Sequence, residues 1–257
     1  MELTARERSN SDQGVLQTEG LSKNFGALRA VDQVNLKVES GVHSIIGPNG
    51  AGKTTLFNLL TGFLKPDAGK IFYLGKDITD LLPCEISQLG MARSFQITSI
   101  FPELTVYENV RLAVQSRLKA AYNFLISFKS LNGVAEKTEK VLKDVGLYDE
   151  ADVIAKNLSY GLQRCLDIGI SLATEPKIIL LDEPTSGLSQ EDANRIIHLV
   201  SEISKNIPVL VIEHNIDIVL SISDVITVLY QGGVLAEGPA SAITNNQKVQ
   251  EAYLGGI

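Results

Sequence analysis

Two short stretches carry residues whose types and spacing could do phosphate chemistry. Residues 47–54 read GPNGAGKT and satisfy G-x-x-x-x-G-K-[ST]. In such a loop Gly47, Gly50 and Gly52 let the backbone turn tightly, so the N–H groups of Gly47, Asn49, Gly50, Ala51 and Gly52 surround phosphate oxygens, with Pro48 shaping the turn without a donor of its own. The N-terminus of the following helix adds partial positive charge. Lys53 is placed to reach the β- and γ-phosphates of a nucleotide, and the Thr54 hydroxyl to ligate Mg²⁺, with Thr55 beside it. The competing reading is a glycine turn that only starts a helix. The order of apolar strand, loop, Lys-Thr and helix favours phosphate binding.

The second stretch is IILLDE, residues 178–183. Four apolar residues read as a buried strand, and two carboxylates emerge at its C-terminal end, where ligands bind in open α/β sheets. Asp182 suits a Mg²⁺ partner, directly or through water. Glu183 suits a general base that polarises an attacking water, a role typically worth about 10²–10⁴-fold in rate. Taken alone, the pair could equally cap the turn DEPTSG. Beside a phosphate loop the metal and base roles fit better, because Mg²⁺-nucleotide needs such a carboxylate.

These groups need elements to hold them. Short alternating or apolar runs at Val15–Glu19, Val31–Val38, Val42–Ile46 and Lys70–Leu74, bounded by turn residues, predict strands. Thr54–Phe63 has helical spacing in Leu56, Leu59 and Leu60, with Gly62 near its end. From about 97 to 175 the strand signal disappears. Gln115–Phe128 and Glu136–Val145 read as helices, the second with Val141, Leu142 and Val145 inward and Gly146 as its stop. Strands return as continuous apolar runs at Ile178–Leu181, Val209–Ile212 and Val225–Leu229, the pattern of a parallel sheet covered on both faces. The expectation is an α/β protein: a β-rich start and an α/β core around an inserted helical segment.

Composition narrows the function. The chain has 257 residues with a formal net charge of −7, which leaves no electrostatic footprint for nucleic acid. Cys84 and Cys165 have no metal-like spacing and read as small core residues in a reducing compartment. The start MELTARERSNSDQG has no apolar h-region, so no signal peptide is expected, and residues 1–13 read as a polar tail. No run of about 18 apolar residues occurs, so a membrane role would come through a partner. His43 and His198 match no motif and read as structural.

Taken in order, GPNGAGKTT, Gln96 in RSFQ, LSYGLQR (158–164), IILLDEP, SGLS and His214 in VIEHN resemble the ATP-binding subunits of ABC transporters. The resemblance runs from about Val15 to Ile257. The long segment between Phe101 and Asn157, the stretch 211–238 and the ending EAYLGGI point to the importer ATPases for branched-chain and hydrophobic amino acids and to their urea- and amide-importing relatives. It implies a P-loop NTPase (RecA-like) core with an N-terminal antiparallel β-subdomain and an α-helical subdomain at about 97–175, all within one domain, 14–257. The implied cofactors are ATP and Mg²⁺. Gln96 would contact Mg²⁺ and the attacking water, and His214 the γ-phosphate. Phe25 in KNFG would stack on adenine, although it also reads as an ordinary core Phe. Two ATPase subunits, identical or paralogous, would pair head to tail, each lending Ser159 and Gly161 to the other's site. Separate transmembrane permease subunits, and indirectly a solute-binding protein, would place the chain at the cytoplasmic face of the inner membrane.

Two positions depart from the family pattern. The usual LSGGQ is LSYGL at 158–162, so Leu162 stands where glutamine is usual; its helical spacing with Cys165, Leu166, Gly169 and Leu172 predicts that it packs inward. Ser159 also reads as a plain helix cap. The usual aspartate of the loop PTSGLS is Ser189, which leaves the details of dimer closure open. In the insert, Tyr122, Phe124 and Phe128 with Arg117, Lys119 and Lys129 read either as core with a solvated basic face or as a receiving face for a membrane subunit. The rival functions are an exporter ATPase resembling the lipopolysaccharide-export subunits, a soluble ABC ATPase without a membrane partner, and a non-hydrolysing regulatory module.

Overall fold

The computed structural model describes residues 14–94, 100–117 and 128–254. Two sheets organise them. The first is antiparallel, with strands β1 (Leu16–Phe25), β2 (Leu28–Val38), β4 (Ala68–Tyr73) and β5 (Lys76–Asp77) in the order β2-β1-β4-β5. Its inward residues alternate, with Leu16 and Leu21 on β1 and Val34, Leu36 and Val38 on β2 all buried. β1 runs past the expected end at Glu19. The pairing shifts between Thr18 and Leu21, where Gly20 takes a φ of 57°, so the strand passes the irregularity as a bulge. The Thr18 hydroxyl fills the gap: it donates to Val34 C=O and accepts from Leu36 N–H, both at 2.9 Å.

The second sheet has six strands in the order β10-β9-β3-β8-β7-β6. β3 (Val42–Ile46), β6 (Met91–Arg93), β7 (Ile178–Asp182), β8 (Val209–Ile212) and β9 (Val225–Tyr230) are parallel, and β10 (Gly233–Gly238) pairs antiparallel with β9 at one edge. β3, β7 and β8 are buried along their whole length, which is why they read as continuous apolar runs. Period-two alternation divides their side chains between two cores. Ile178, Leu180, Leu210 and Ile212 face helix α1 (Lys53–Leu60) and the antiparallel sheet. Ile179, Leu181, Val209 and Val211 face the helices that follow. The strands β5 and β6, and the short helix α2 (Pro83–Gln88), carry too few residues to have shown in the sequence, and β10, an edge strand with no fully buried residue, lacks an apolar run.

Between β6 and β7 the described residues form helices α3 (Val106–Ser116), α4 (Phe128–Asp144) and α5 (Tyr160–Ala173). Thr105 caps α3 by accepting from Glu108 N–H. α4 stops as its sequence suggests: Gly146 takes a φ of 68°, and Leu147 N–H closes back on Leu142 C=O at 2.8 Å. The helix expected at Gln115–Phe128 is corrected at its start. Gln115 and Ser116 close α3, which begins at Val106; Arg117 follows as its C-cap, its side chain donating to Thr174 C=O after α5 and to Gln88 C=O, and residues 118–127 lie outside the described residues. The readings at Lys119, Tyr122, Phe124 and the side chains of Phe128 and Lys129 lie outside the described residues, as do residues 1–13. Cys165 is buried as expected, but Cys84 is exposed, because α2 lies on the surface and buries only Ile86. The remaining helices are α6 (Gln190–Ser204), α7 (Ile216–Ile222), α8 (Ala240–Thr244) and α9 (Gln247–Leu254).

One histidine belongs to the sheet itself. His43 on β3 is 3% exposed, and its Nε2 lies 2.7 Å from Thr227 Oγ1, which donates to Glu237 Oε2 at 2.6 Å. Burial pushes the imidazole down from 6.5 to about 4, partly offset by a hydrogen bond to the Lys37 backbone. Between those two values the unfolded chain binds a proton that the native chain refuses, so stability falls as pH falls. Urea denaturation between pH 6.5 and 5 should show native stability dropping by up to about 1.4 kcal/mol per pH unit. His43→Gln should flatten that slope.

Candidate nucleotide site

The phosphate loop leaves β3 at Gly47 and enters α1 at Lys53. Two of its glycines are required by neighbours. A Cβ on Gly47 (φ 156°) would lie 2.2 Å from Leu229 C=O, and one on Gly52 (φ 101°) 2.2 Å from Ala30 C=O. The loop is stitched to the surrounding chain by Ala51 N–H to Pro48 C=O, Gly232 N–H to Ala51 C=O and Asp32 N–H to Gly232 C=O. No side chain caps α1, so its first-turn N–H groups have no side-chain acceptor. Asn49, Gly50 and Thr54 are exposed, Pro48, Gly52 and Thr55 half-buried, and Gly47 and Ala51 buried.

Lys53 folds back over this loop. Its Nζ donates to Gly47 C=O at 2.6 Å and to Pro48 C=O at 3.1 Å. Burial lowers its pKa, and the charges of Glu183 and Asp182 work against that shift. The lysine therefore lies within electrostatic reach of both carboxylates at the end of β7. Phosphate oxygens arriving in the loop can replace the two carbonyls as its acceptors.

Asp182 is the last residue of β7 and sits beside Ile212. Its Oδ2 accepts from Arg93 Nη2 at 3.1 Å. Glu183 leaves the strand with a φ of 49°, and its N–H donates to Ile212 C=O at 2.9 Å. A non-glycine residue holds that conformation only where its surroundings enforce it, at a cost of order 1–3 kcal/mol. His214 Nδ1 lies 3.2 Å from Glu183 Oε1. Lys53, Asp182, Glu183 and His214 thus form one cluster opposite the glycine loop. Gln96 lies outside the described residues.

Phe25, Ser159 and Gly161 share no hydrogen bond or ion pair with that cluster among the described residues. Phe25 closes β1 at 48% exposure and so is not a core residue. Ser159 is exposed and caps α5 by accepting from Leu162 N–H. Leu162 is partly buried against the helical core with Cys165 and Leu166, the inward packing that its spacing predicts. Gly161 leaves room for its neighbour: a Cβ there would lie 2.3 Å from the Asp192 carboxylate. Ser189, at the position where the family usually has aspartate, caps α6 and donates to Asp192 Oδ2 at 2.8 Å.

Three site residues escaped the sequence reading. Arg93 grips Asp182. Glu213, 1% exposed, accepts from Thr185 N–H at 3.0 Å and Thr185 Oγ1 at 2.6 Å, which pins the loop PTSGLS to the end of β8. Arg164, 1% exposed on α5, reaches Glu183 C=O at 3.4 Å and Asp167 at 3.9 Å. The only signals were a charge directly after an apolar strand (Glu213) and two arginines within motif stretches.

A parallel sheet that feeds a glycine loop and helix, with carboxylates on a neighbouring strand end, defines a P-loop nucleotide-binding protein. The family model described as ABC transporter matches residues 31–186, and that of the branched-chain amino acid ATP-binding cassette transporter matches 234–256. The chain belongs to the ABC transporter family, as one of its ATP-hydrolysing cassettes coupled to transport. It is 40% identical to the high-affinity branched-chain amino acid transport ATP-binding protein LivG of Escherichia coli, over 95% of this chain and 98% of LivG. It is 41% identical to the corresponding protein BraF of Pseudomonas aeruginosa, over 94% of this chain and 98% of BraF. Among solved structures, the ADP conformation of an ATP-binding cassette of an ABC transporter superposes with a TM-score of 0.81 at 35% identity, covering 94% of this chain and 98% of that one. A dimeric cassette in a post-hydrolysis state with ADP and Pi superposes with a TM-score of 0.72 at 26% identity, covering 88% and 98%.

The buried Arg164 gives a stability test. Arg164→Met should cost about 3–5 kcal/mol, because Asp167 and the Glu183 carbonyl lose a buried cationic donor. Adding Asp167→Leu should recover part of that loss. Urea denaturation of the two variants checks both outcomes.

Proposed function

We propose that this chain hydrolyses ATP as the peripheral subunit of an importer for branched-chain amino acids or a related small solute such as urea or amides. The observation that carries the reading is the cluster of Lys53, Asp182, Glu183 and His214 facing the loop that follows β3. Within it, Lys53 and the loop amides from Gly47 to Thr55 hold the phosphates. Glu183 takes a proton from the attacking water, and His214, against the Glu183 carboxylate, orients that base and senses the γ-phosphate. Gln96 helps to position the same water. Phe25, exposed at the end of β1, offers its ring face to adenine.

The donor set fits Mg²⁺. The Thr54 hydroxyl is exposed at the start of α1, and Asp182 has no side-chain hydrogen bond among the described residues beyond that to Arg93, so one carboxylate oxygen is left for a cation. Hydroxyl and carboxylate are hard oxygen donors, the type that Mg²⁺ takes together with substrate phosphates. Thr54, Asp182 and Gln96 would hold it, and when bound it neutralises charge on the β- and γ-phosphates.

Ser159 at the start of α5 and Gly161 beside it form a phosphate-facing helix end for a second cassette, and the dimeric relative supports a paired arrangement. Ser189 contributes there as a helix cap that presents Asp192 rather than as a charge. Residues 14–257 act as one cassette, with the segment of about 97–175 toward separate permease subunits at the cytoplasmic face of the membrane. Among the described residues no helix is long and apolar enough to cross a membrane, which fits a subunit held by such partners. The names of the relatives favour amino-acid import over the exporter reading.

Glu183→Gln should bind MgATP within a few-fold of wild type and lose about 10²–10⁴-fold in turnover. Normal turnover in that variant would refute the base assignment. With permease subunits in liposomes, ATP-dependent uptake of leucine, urea or a small amide checks the solute class. Uptake of none of them would refute that part of the reading.

A further inference from the structure

Arg93 is built into the protein more firmly than a surface ion pair requires. Its side chain is 9% exposed, as is that of Asp182. The guanidinium lies over two aromatic rings, 5.7 Å from the Phe57 centroid and 5.6 Å from that of Phe63. Its Nη1 donates to Asn58 Oδ1 at 2.8 Å and to Thr61 Oγ1 at 3.0 Å, while Nη2 donates to Asp182 Oδ2 at 3.1 Å. Asn58 belongs to α1, and Thr61 follows its last turn. The same helix begins with Lys53 and Thr54, the residues that face phosphate and metal.

Two consequences follow from this arrangement. The guanidinium is anchored by α1 and the two rings whatever Asp182 does, so it is a fixed point and not a mobile competitor for the carboxylate. It also engages Oδ2 alone. A carboxylate held by one oxygen keeps its orientation and presents the other. A lysine could not replace it: an ammonium has no planar fork to reach acceptors on α1 and β7 together.

We propose that Arg93 is the positioning residue of the cation site. It fixes the Asp182 carboxylate through Oδ2 and sets the spacing between the end of β7 and α1, so that Asp182 and Thr54 meet one Mg²⁺ ion. The inference rests on the proposed metal role of Asp182 and adds a residue that none of the phosphate or acidic motifs contains.

The test uses the full chain with ADP and Mn²⁺ as a paramagnetic probe, read by EPR, beside ADP affinity measured in EDTA. Wild-type binding of Mn²⁺ in the presence of ADP tests the metal reading itself. The ratio of variant to wild type tests the role of Arg93. Arg93→Met keeps an apolar stem over Phe57 and Phe63, and should weaken Mn²⁺ binding by about 10–100-fold while leaving metal-free ADP affinity within about threefold. Arg93→Lys, which retains the charge, should fall between Arg93→Met and wild type, and it gives the answer if Arg93→Met does not fold. Unchanged Mn²⁺ affinity in the folded variant would overturn the proposal. So would an equal loss of metal-free ADP binding, because Arg93 would then only support α1.

Discussion

The site depends on the register of three parallel strands. Ile45 of β3, Ile212 of β8 and Asp182 of β7 lie side by side. The chain therefore leaves all three strands at one level, as the glycine loop from β3, as Glu213 and His214 from β8, and as Glu183 from β7. A slip of one residue in any strand would send its core side chains to the opposite face. The division of Ile178–Leu181 and Val209–Ile212 between two cores resists such a slip. Packing on both faces of the sheet is what brings a lysine, two carboxylates and a histidine into reach.

Bringing charges to a buried strand end has a cost, and the protein meets it with fixed partners. Asp182 is gripped by Arg93, and Glu213 by the hydroxyl and N–H of Thr185. Arg164 holds Asp167 and the carbonyl of Glu183, and Lys53 rests on two loop carbonyls. These contacts also join separate elements. Arg93 ties β6 to α1 and β7, and Arg164 connects the helix that starts at Tyr160 to the residue with the φ of 49°. A displacement of α5 is therefore felt at the backbone of Glu183, and one of α1 at the carboxylate of Asp182.

Much of the candidate site's layout was legible in the chain because it rests on local rules. GPNGAGKT needs glycines where backbone approaches backbone, IILLDE needs an apolar run that ends in acids, and Ser159 and Gly146 mark a helix start and a helix stop. The strands of the parallel sheet showed for the same reason, since burial on both faces leaves continuous apolar runs. Less visible were elements held by their neighbours. β5 and β10 are edge strands, β6 has three residues, and β1 continues past Gly20 only because Thr18 bridges the bulge to β2. Arg117 at the end of α3 donates to carbonyls of Gln88 in α2 and of Thr174, the residue after α5.

The sequence by itself determined where the glycine loop stands and which acids stand at a strand end, because glycine geometry and apolar periodicity act over a few neighbouring positions. It also determined the family, through the order of its motifs. Only the tertiary structure decided that Arg93 grips Asp182, that Arg164 reaches the Glu183 carbonyl, that Glu213 serves Thr185, and that Asp192 lies against Gly161. Those pairings join residues far apart in the chain, and a buried charge takes whichever partner the packing of sheet and helices brings to it.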